Sequence, residues 1–411
     1  MGGMGYTPGT GFGGATDPGA IEITEGYRLV PSVRVGERYD SNVFFIPKTA
    51  GVDREDFVTT AAPTIRGLYA GRSLSANVYA SAVGEYYAKN PNLSYVGTNL
   101  GASLDISRLL DGLRPGSTWQ VTEYYSFTPI PPAFATGDVN GSSNPYLRGY
   151  QTVRTNTQIN STGTNLSVPL TQIFSVTGSY SYSFAKYGAT ASAIQSPGAL
   201  LSSTTQSYTA GLATKLSGAD TLTLNYAGSF SDYGSSGSFS ANGATVRWQH
   251  LFSERAFMTA NGGVQLVQTA FPSAPNTSTY APTGGLSGSF KDRTTTLLIS
   301  WFLGVTPAVQ FQPQPLINNT LSLALTQVTP IHNLIGVLGL NYSRADELGS
   351  SASVPVSYYS YGANAGLTYR ATTKTFLGLT VNYQNFHNDF GGTSYTVPRT
   401  TVQLTLTQAL Y

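Results

Sequence analysis

Seven basic side chains carry the strongest chemical signal in this chain. Arg28, Arg34, Arg38, Arg66, Arg154, Lys215 and Arg247 fall where strand alternation turns them to one face, and Glu85 is the clearest acid on that face. An excess of positive charge along a confined polar wall concentrates anions through field focusing. The same arginines could instead pair with inward carboxylates or loop acids and stiffen the wall. Neutral polar residues extend the face: Asn77, Thr122, Asn156, Gln158, Asn160, Asn225, Gln265, Asn364, Asn382, Gln403 and Thr405. The expected lining of a channel is therefore Arg28, Arg34, Arg66, Asn77, Glu85, Arg154, Asn156, Gln158, Lys215, Asn225, Arg247 and Asn364.

Other chemistry is sparse. The chain has three histidines. Only His387, with Asp389 in QNFHNDF, could form a general-base pair, and a polar external loop has the same composition. His250 and His332 sit near turns, and no histidine or carboxylate set has metal-site spacing. Asp53, Glu55 and Asp56 read as loop acids, with calcium bridging of lipopolysaccharide as the sharper alternative. The Gly-rich run GTGFGG lacks the strand–turn–helix setting of a phosphate loop. With no cysteine, the chain has no disulfide, Cys-ligated zinc or covalent c-type haem of its own. A net charge of +2 gives no basis for nucleic-acid binding. No catalytic residue, cofactor or metal is expected, and the chain reads as a non-enzyme.

The elements that hold these residues are hairpins. In residues 204–233, Tyr208, Ala210 and Leu212 alternate with Thr209 and Gly211. The turn Ser217-Gly218-Ala219-Asp220 reverses the chain, and Leu222, Leu224 and Tyr226 then alternate with Thr223 and Asn225. The unit repeats along the sequence. Only 10% of the 411 residues are charged, against about 25% in soluble domains. No run of about 18 apolar residues could form a membrane helix. The pattern predicts one closed antiparallel transmembrane β-barrel of about 18 strands (roughly 16–20), with short periplasmic turns and longer external loops. Residues 1–22 read as a flexible Gly-rich periplasmic tail and 23–411 as the barrel. Tyr and Trp near strand ends, among them Tyr69, Trp119, Trp248 and Trp301, read as interface girdles. No leader is visible at Met1, so the chain reads as mature, with its signal peptide removed.

The run Val35-Gly36-Glu37-Arg38-Tyr39-Asp40-Ser41-Asn42-Val43-Phe44 and the later Ala80–Tyr87 stretch resemble the start of outer-membrane porin-like β-barrels. Some of those are associated with exopolysaccharide systems. The resemblance covers about the first hundred residues and implies a Gram-negative outer-membrane barrel with a transport role. At the other end, Tyr411 stands one step out of register with Leu410, Leu406, Leu404 and Val402, unlike the usual porin ending.

Two functions follow as expectations. One is a channel for polar or anionic solutes, or an exit conduit for a polymer such as exopolysaccharide. The other is a structural barrel, plugged or sheathing a partner such as a multihaem cytochrome. Expected partners are outer-membrane lipid and lipopolysaccharide, a polysaccharide or small polar solute, and a protein in the lumen or periplasm; nucleic acid is not one.

Overall fold

Side chains that alternate between apolar and polar place one face of a pleated strand in lipid and the other in water, and this chain is built almost wholly of such strands. The computed structural model describes residues 21–24, 26–48, 53–129, 155–190, 201–270, 272, 276–307, 315–348, 356–390 and 393–410. β1 (Ile21–Thr24), β2 (Tyr27–Asp40), β3 (Asp56–Ala70), β4 (Ser75–Tyr87) and β5 (Tyr95–Asp105) lead to the short helix α1 (Ser107–Asp111). Next come β6 (Thr118–Thr128), β7 (Thr155–Pro169), β8 (Phe174–Thr190), β9 (Ser203–Lys215) and β10 (Asp220–Asp232). β11 (Ser238–Ser253), β12 (Ala256–Ala270), β13 (Thr277–Lys291), β14 (Thr295–Pro307) and β15 (Pro315–Val328) follow. The chain finishes with β16 (Leu334–Glu347), β17 (Val356–Arg370), β18 (Thr375–Phe390) and β19 (Thr393–Ala409).

Every strand from β2 to β19 pairs antiparallel with its sequence neighbours. β19 then returns to β2, from Thr401 opposite Asp40 to Ala409 opposite Ser32, so 18 strands close into one barrel. β1 pairs with the first residues of β2, Ile21 opposite Leu29, beyond the point where β19 ends. The Gly-rich segment 1–20 and Tyr411 lie outside the described residues. The chain reverses in a few residues at one end of the barrel, as at 71–74, 170–173 and 216–219. β5 is shorter than its alternation suggests because the Asp105 carboxylate accepts the Ser107 N–H at 2.9 Å, a turn that starts α1.

A wall one strand thick shows which face is which. Nothing packs on the outside of an isolated barrel, so deeply buried side chains belong to the inside. In β3, Asp56, Val58, Thr60 and Ala62 are buried, while Phe57 and Ile65 between and beyond them are more than half exposed. Cross-strand pairing carries this assignment around the barrel. Val176, Leu212, Leu224, Ile299, Leu338 and Leu404 all stand exposed on the outer face. The three tryptophans face out with their indole N–H groups satisfied. Trp119 donates to Thr164 at 2.8 Å, Trp248 to Asp220 at 3.0 Å and Trp301 to Asn319 at 2.7 Å. Rings also pair at the two rims, Tyr27 with Tyr69 at 4.3 Å and Tyr39 with Phe57 at 5.6 Å. Such belts suit the membrane–water boundary, where a ring is apolar and its polar tip is wet.

Candidate channel interior

The first external connection does not project outward. Asn42 has no exposed surface; its Nδ2 donates to the Ile46 carbonyl at 2.8 Å and to that of Pro398 at 3.0 Å, while its Oδ1 accepts the Ile46 N–H at 3.2 Å. Val43 packs against Val58 and Tyr87 on the inner face of β3 and β4. Phe45, held at φ +56°, packs against Phe386 and Val397 on β18 and β19. Residues 41–46 therefore fold across the inside of the wall. Positive φ at a phenylalanine is costly and persists because burial holds it.

Beneath this segment lies a charged network. Arg38 reaches over β3 and places both guanidinium nitrogens on Glu85, at 2.8 and 2.9 Å. Tyr87 donates its hydroxyl to the same carboxylate at 2.8 Å. Asp40 accepts from Arg399 at 2.6 and 3.1 Å and lies 3.7 Å from Arg38. Arg399 in turn sits over the Phe45 ring at 4.8 Å. These groups are nearly fully buried, which leaves each charge dependent on its partners. The network locks the seam between the first and last barrel strands.

The remaining inner-face cations are different. Arg28, Arg34, Lys215 and Arg247 are exposed on that face and Arg66 is half-buried; none of the five forms an ion pair among the described residues. Arg66 donates to Asn77 at 2.9 Å. Arg34 stands opposite Ala62 and Thr407, Lys215 opposite Thr221, and Arg247 opposite Thr223 and Asn261. Asn225 shares this face, close over Gly211, and Asn364 lies opposite Asn382. Gly101 gives room for the Tyr79 ring, into which a Cβ there would run. On the inner face, pairing therefore applies to Arg38 and Arg399, while Arg28, Arg34, Arg66, Lys215 and Arg247 stand on that face without an ion pair among the described residues.

One strand runs opposite to the reading from alternation. In β7 the buried residues are Thr155, Thr157 and Ile159, so Asn156, Gln158 and Asn160 lie on the outer face with Thr162, Thr164 and Leu166. β7 is polar on both sides, so its composition holds no register signal; the single apolar inward residue, Ile159, is what the fold buries. Arg154 lies outside the described residues.

The other sequence candidates sit away from the interior. His250 contacts Asp220 at 2.8 Å on the outer face, beside Trp248. His387 stacks on Tyr359 at 4.5 Å, near Thr396, Ser394 and Asp389, also on the outer face. Asp56 is not a solvated loop acid: it is buried and accepts from the N–H groups of Lys89 and Asn90. Asp53 and Glu55 are exposed and share Lys89, at 3.2 and 2.9 Å; its hydrogen bonds hold both carboxyls below the usual range. The inward fold of residues 41–46 was invisible to alternation; the one available signal was an apolar Val-Phe-Phe-Ile run inside an external connection.

Fold and interior define the class: a transmembrane β-barrel of the outer-membrane type, with an apolar outside and a polar, charged inside. No family model and no curated protein matches the chain. Among solved structures it is similar to Pseudomonas aeruginosa OccK2 (OpdF), at 12% identity over 93% of this chain and 98% of that one, with a TM-score of 0.48. Acinetobacter baumannii OccAB2 gives 11%, the same coverages and 0.48; Pseudomonas aeruginosa OpdQ gives 8%, 95% and 100%, and 0.44. Neither a family model nor a curated relative supports a link to exopolysaccharide systems.

Proposed function

We propose that the protein is a porin-like channel of a Gram-negative outer membrane that passes small polar solutes and favours anions. One observation carries this reading. Arg34, Arg66, Lys215 and Arg247 face the interior with no carboxylate within ion-pair distance among the described residues. A barrel of about 16–18 strands encloses an aqueous channel unless something fills it. Residues 41–46 narrow that channel, with Arg34 on the inner face of the same strand that leads into them. The narrowing argues for small solutes rather than a wide polymer conduit. Among the described residues, no feature of the interior favours a sheath around a cytochrome.

Across about 6 Å of water one such charge contributes about 0.7 kcal/mol, and about half of that survives screening at 0.1 M salt. Each cation should then change anion partitioning about twofold. Reversal potentials of the purified protein in planar bilayers test this. Anion preference that falls when Arg34 and Arg247 are replaced by Gln supports the reading, and an unmoved potential contradicts it.

A further inference from the structure

The outer face of the barrel is apolar or aromatic at mid-height on most strands, as at Leu224, Val264, Leu321 and Leu340. β6 and β7 break that rule. Glu123 is the central residue of the 11-residue β6, and it points outward between Val121 and Tyr125. Its carboxylate accepts from Asn160 and from Thr162, its cross-strand partner and the central residue of β7. With Asn156, Gln158 and Thr164, these make five consecutive outward polar positions on one strand, about 27 Å at the usual rise per residue. On the next strand, Tyr182 pairs with Thr162 at the centre of β8, and its hydroxyl makes no hydrogen bond among the described residues.

Acyl chains offer no donors or acceptors, so a full-height polar stripe on a lipid-facing wall leaves polar groups unpaired. We propose that this stripe is covered by a second copy of the same chain. Copies in one membrane share their orientation, so groups meet at their own height across the contact. A stripe satisfies itself there only if its groups both donate and accept. The side-chain amides of Asn156, Gln158 and Asn160 do both; Thr162 and Thr164, whose hydroxyl protons go to Glu123 and the Gln120 carbonyl, add acceptors, and Glu123 has free lone pairs beside Asn160 and Thr162. Flanking Trp119, Tyr125 and Tyr180 supply the aromatic surface enriched in protein contacts.

The chain has no cysteine, which makes the test clean. Single-cysteine variants Thr162→Cys and Leu340→Cys, the latter on the outer face of β16, are reconstituted in liposomes and treated with a short bis-maleimide. The expected result is a dimer-mass band for Thr162→Cys in several-fold excess over Leu340→Cys. Light scattering in mild detergent should give a multiple of 43.5 kDa for the native chain and the single-chain mass for Glu123→Leu/Asn160→Leu. Equal cross-linking of both cysteine variants, a single-chain mass for the native protein, or an adduct of another mass at residue 162 would each overturn the proposal. If the double variant fails to insert, the cysteine comparison still decides.

Discussion

Replacing Asp40 with Asn should loosen the barrel at its closing seam. Asp40 is buried and takes two hydrogen bonds from Arg399, at 2.6 and 3.1 Å, with Arg38 at 3.7 Å. Its loss takes the carboxylate away from the two Arg399 nitrogens that donate to it, and leaves Arg38 with Glu85. Removing one member of a buried pair costs about 3–5 kcal/mol, because the surviving charge stays buried. Arg344 and Asp346 form the control: their contact is 2.8 Å, but the side chains are 59% and 41% exposed, so Asp346→Asn should cost less than about 1 kcal/mol. Urea unfolding in detergent micelles, followed by tryptophan fluorescence, compares the two. Converting both seam partners, Asp40→Leu with Arg399→Met, should recover part of the loss, since the buried guanidinium is removed together with the carboxylate it donates to. An Asp40→Asn variant within about 1 kcal/mol of the native chain would refute this reasoning, as would a double variant weaker than the single one.

Three further outcomes are expected. Asn42→Ala removes the hydrogen bonds that seat residues 41–46, at about 1–3 kcal/mol for the buried partners left unpaired, and should raise single-channel conductance while exposing Phe45 to protease. Glu85→Gln should remove the nearer counter-charge of Arg38, leaving Asp40 at 3.7 Å, and increase anion preference in reversal-potential measurements, whereas a purely structural role would leave selectivity unchanged. The Asp53–Lys89–Glu55 clamp should hold at neutral pH. Both carboxyl pKa values are depressed in the fold, so the stabilising contribution is present above the ordinary carboxylate range of about 4 and disappears as pH falls through the lower folded values. The protection of the amides at residues 53–55, measured as hydrogen exchange relative to the intrinsic rate at each pH, should therefore fall in acid, and Lys89→Ala should abolish that pH dependence.

What the sequence made legible follows from what each strand faces. β4, with Ala76, Val78, Ala80 and Ala82 against Asn77, Ser81 and Glu85, has lipid on one side and the interior on the other, so its alternation fixes its register. β9 and β10 follow the same rule. β7 carries Asn, Gln and Thr on its outer face and mostly polar residues on its inner one, and a pattern without contrast cannot choose a face. The interior network was out of reach for another reason. Asp40 and Arg399 are 359 positions apart, and Phe45 meets Phe386 and Val397 only because the barrel closes. Local periodicity reports which face a residue takes but not which distant partner it meets there. The basic residues were visible as a set; that Arg38 and Arg399 are neutralised while Arg34 and Arg247 are not required the fold.

The central claim is that the inner cations make this barrel an anion-favouring channel, and a salt gradient across a planar bilayer tests it most directly. At about 0.1 M salt, where the Debye length is about 10 Å, the native protein should conduct and its reversal potential should take the sign of anion preference. Arg34→Gln with Arg247→Gln should bring that potential toward zero or to the cationic side. A native channel that selects cations, or one whose potential does not move when both charges are removed, would contradict the account.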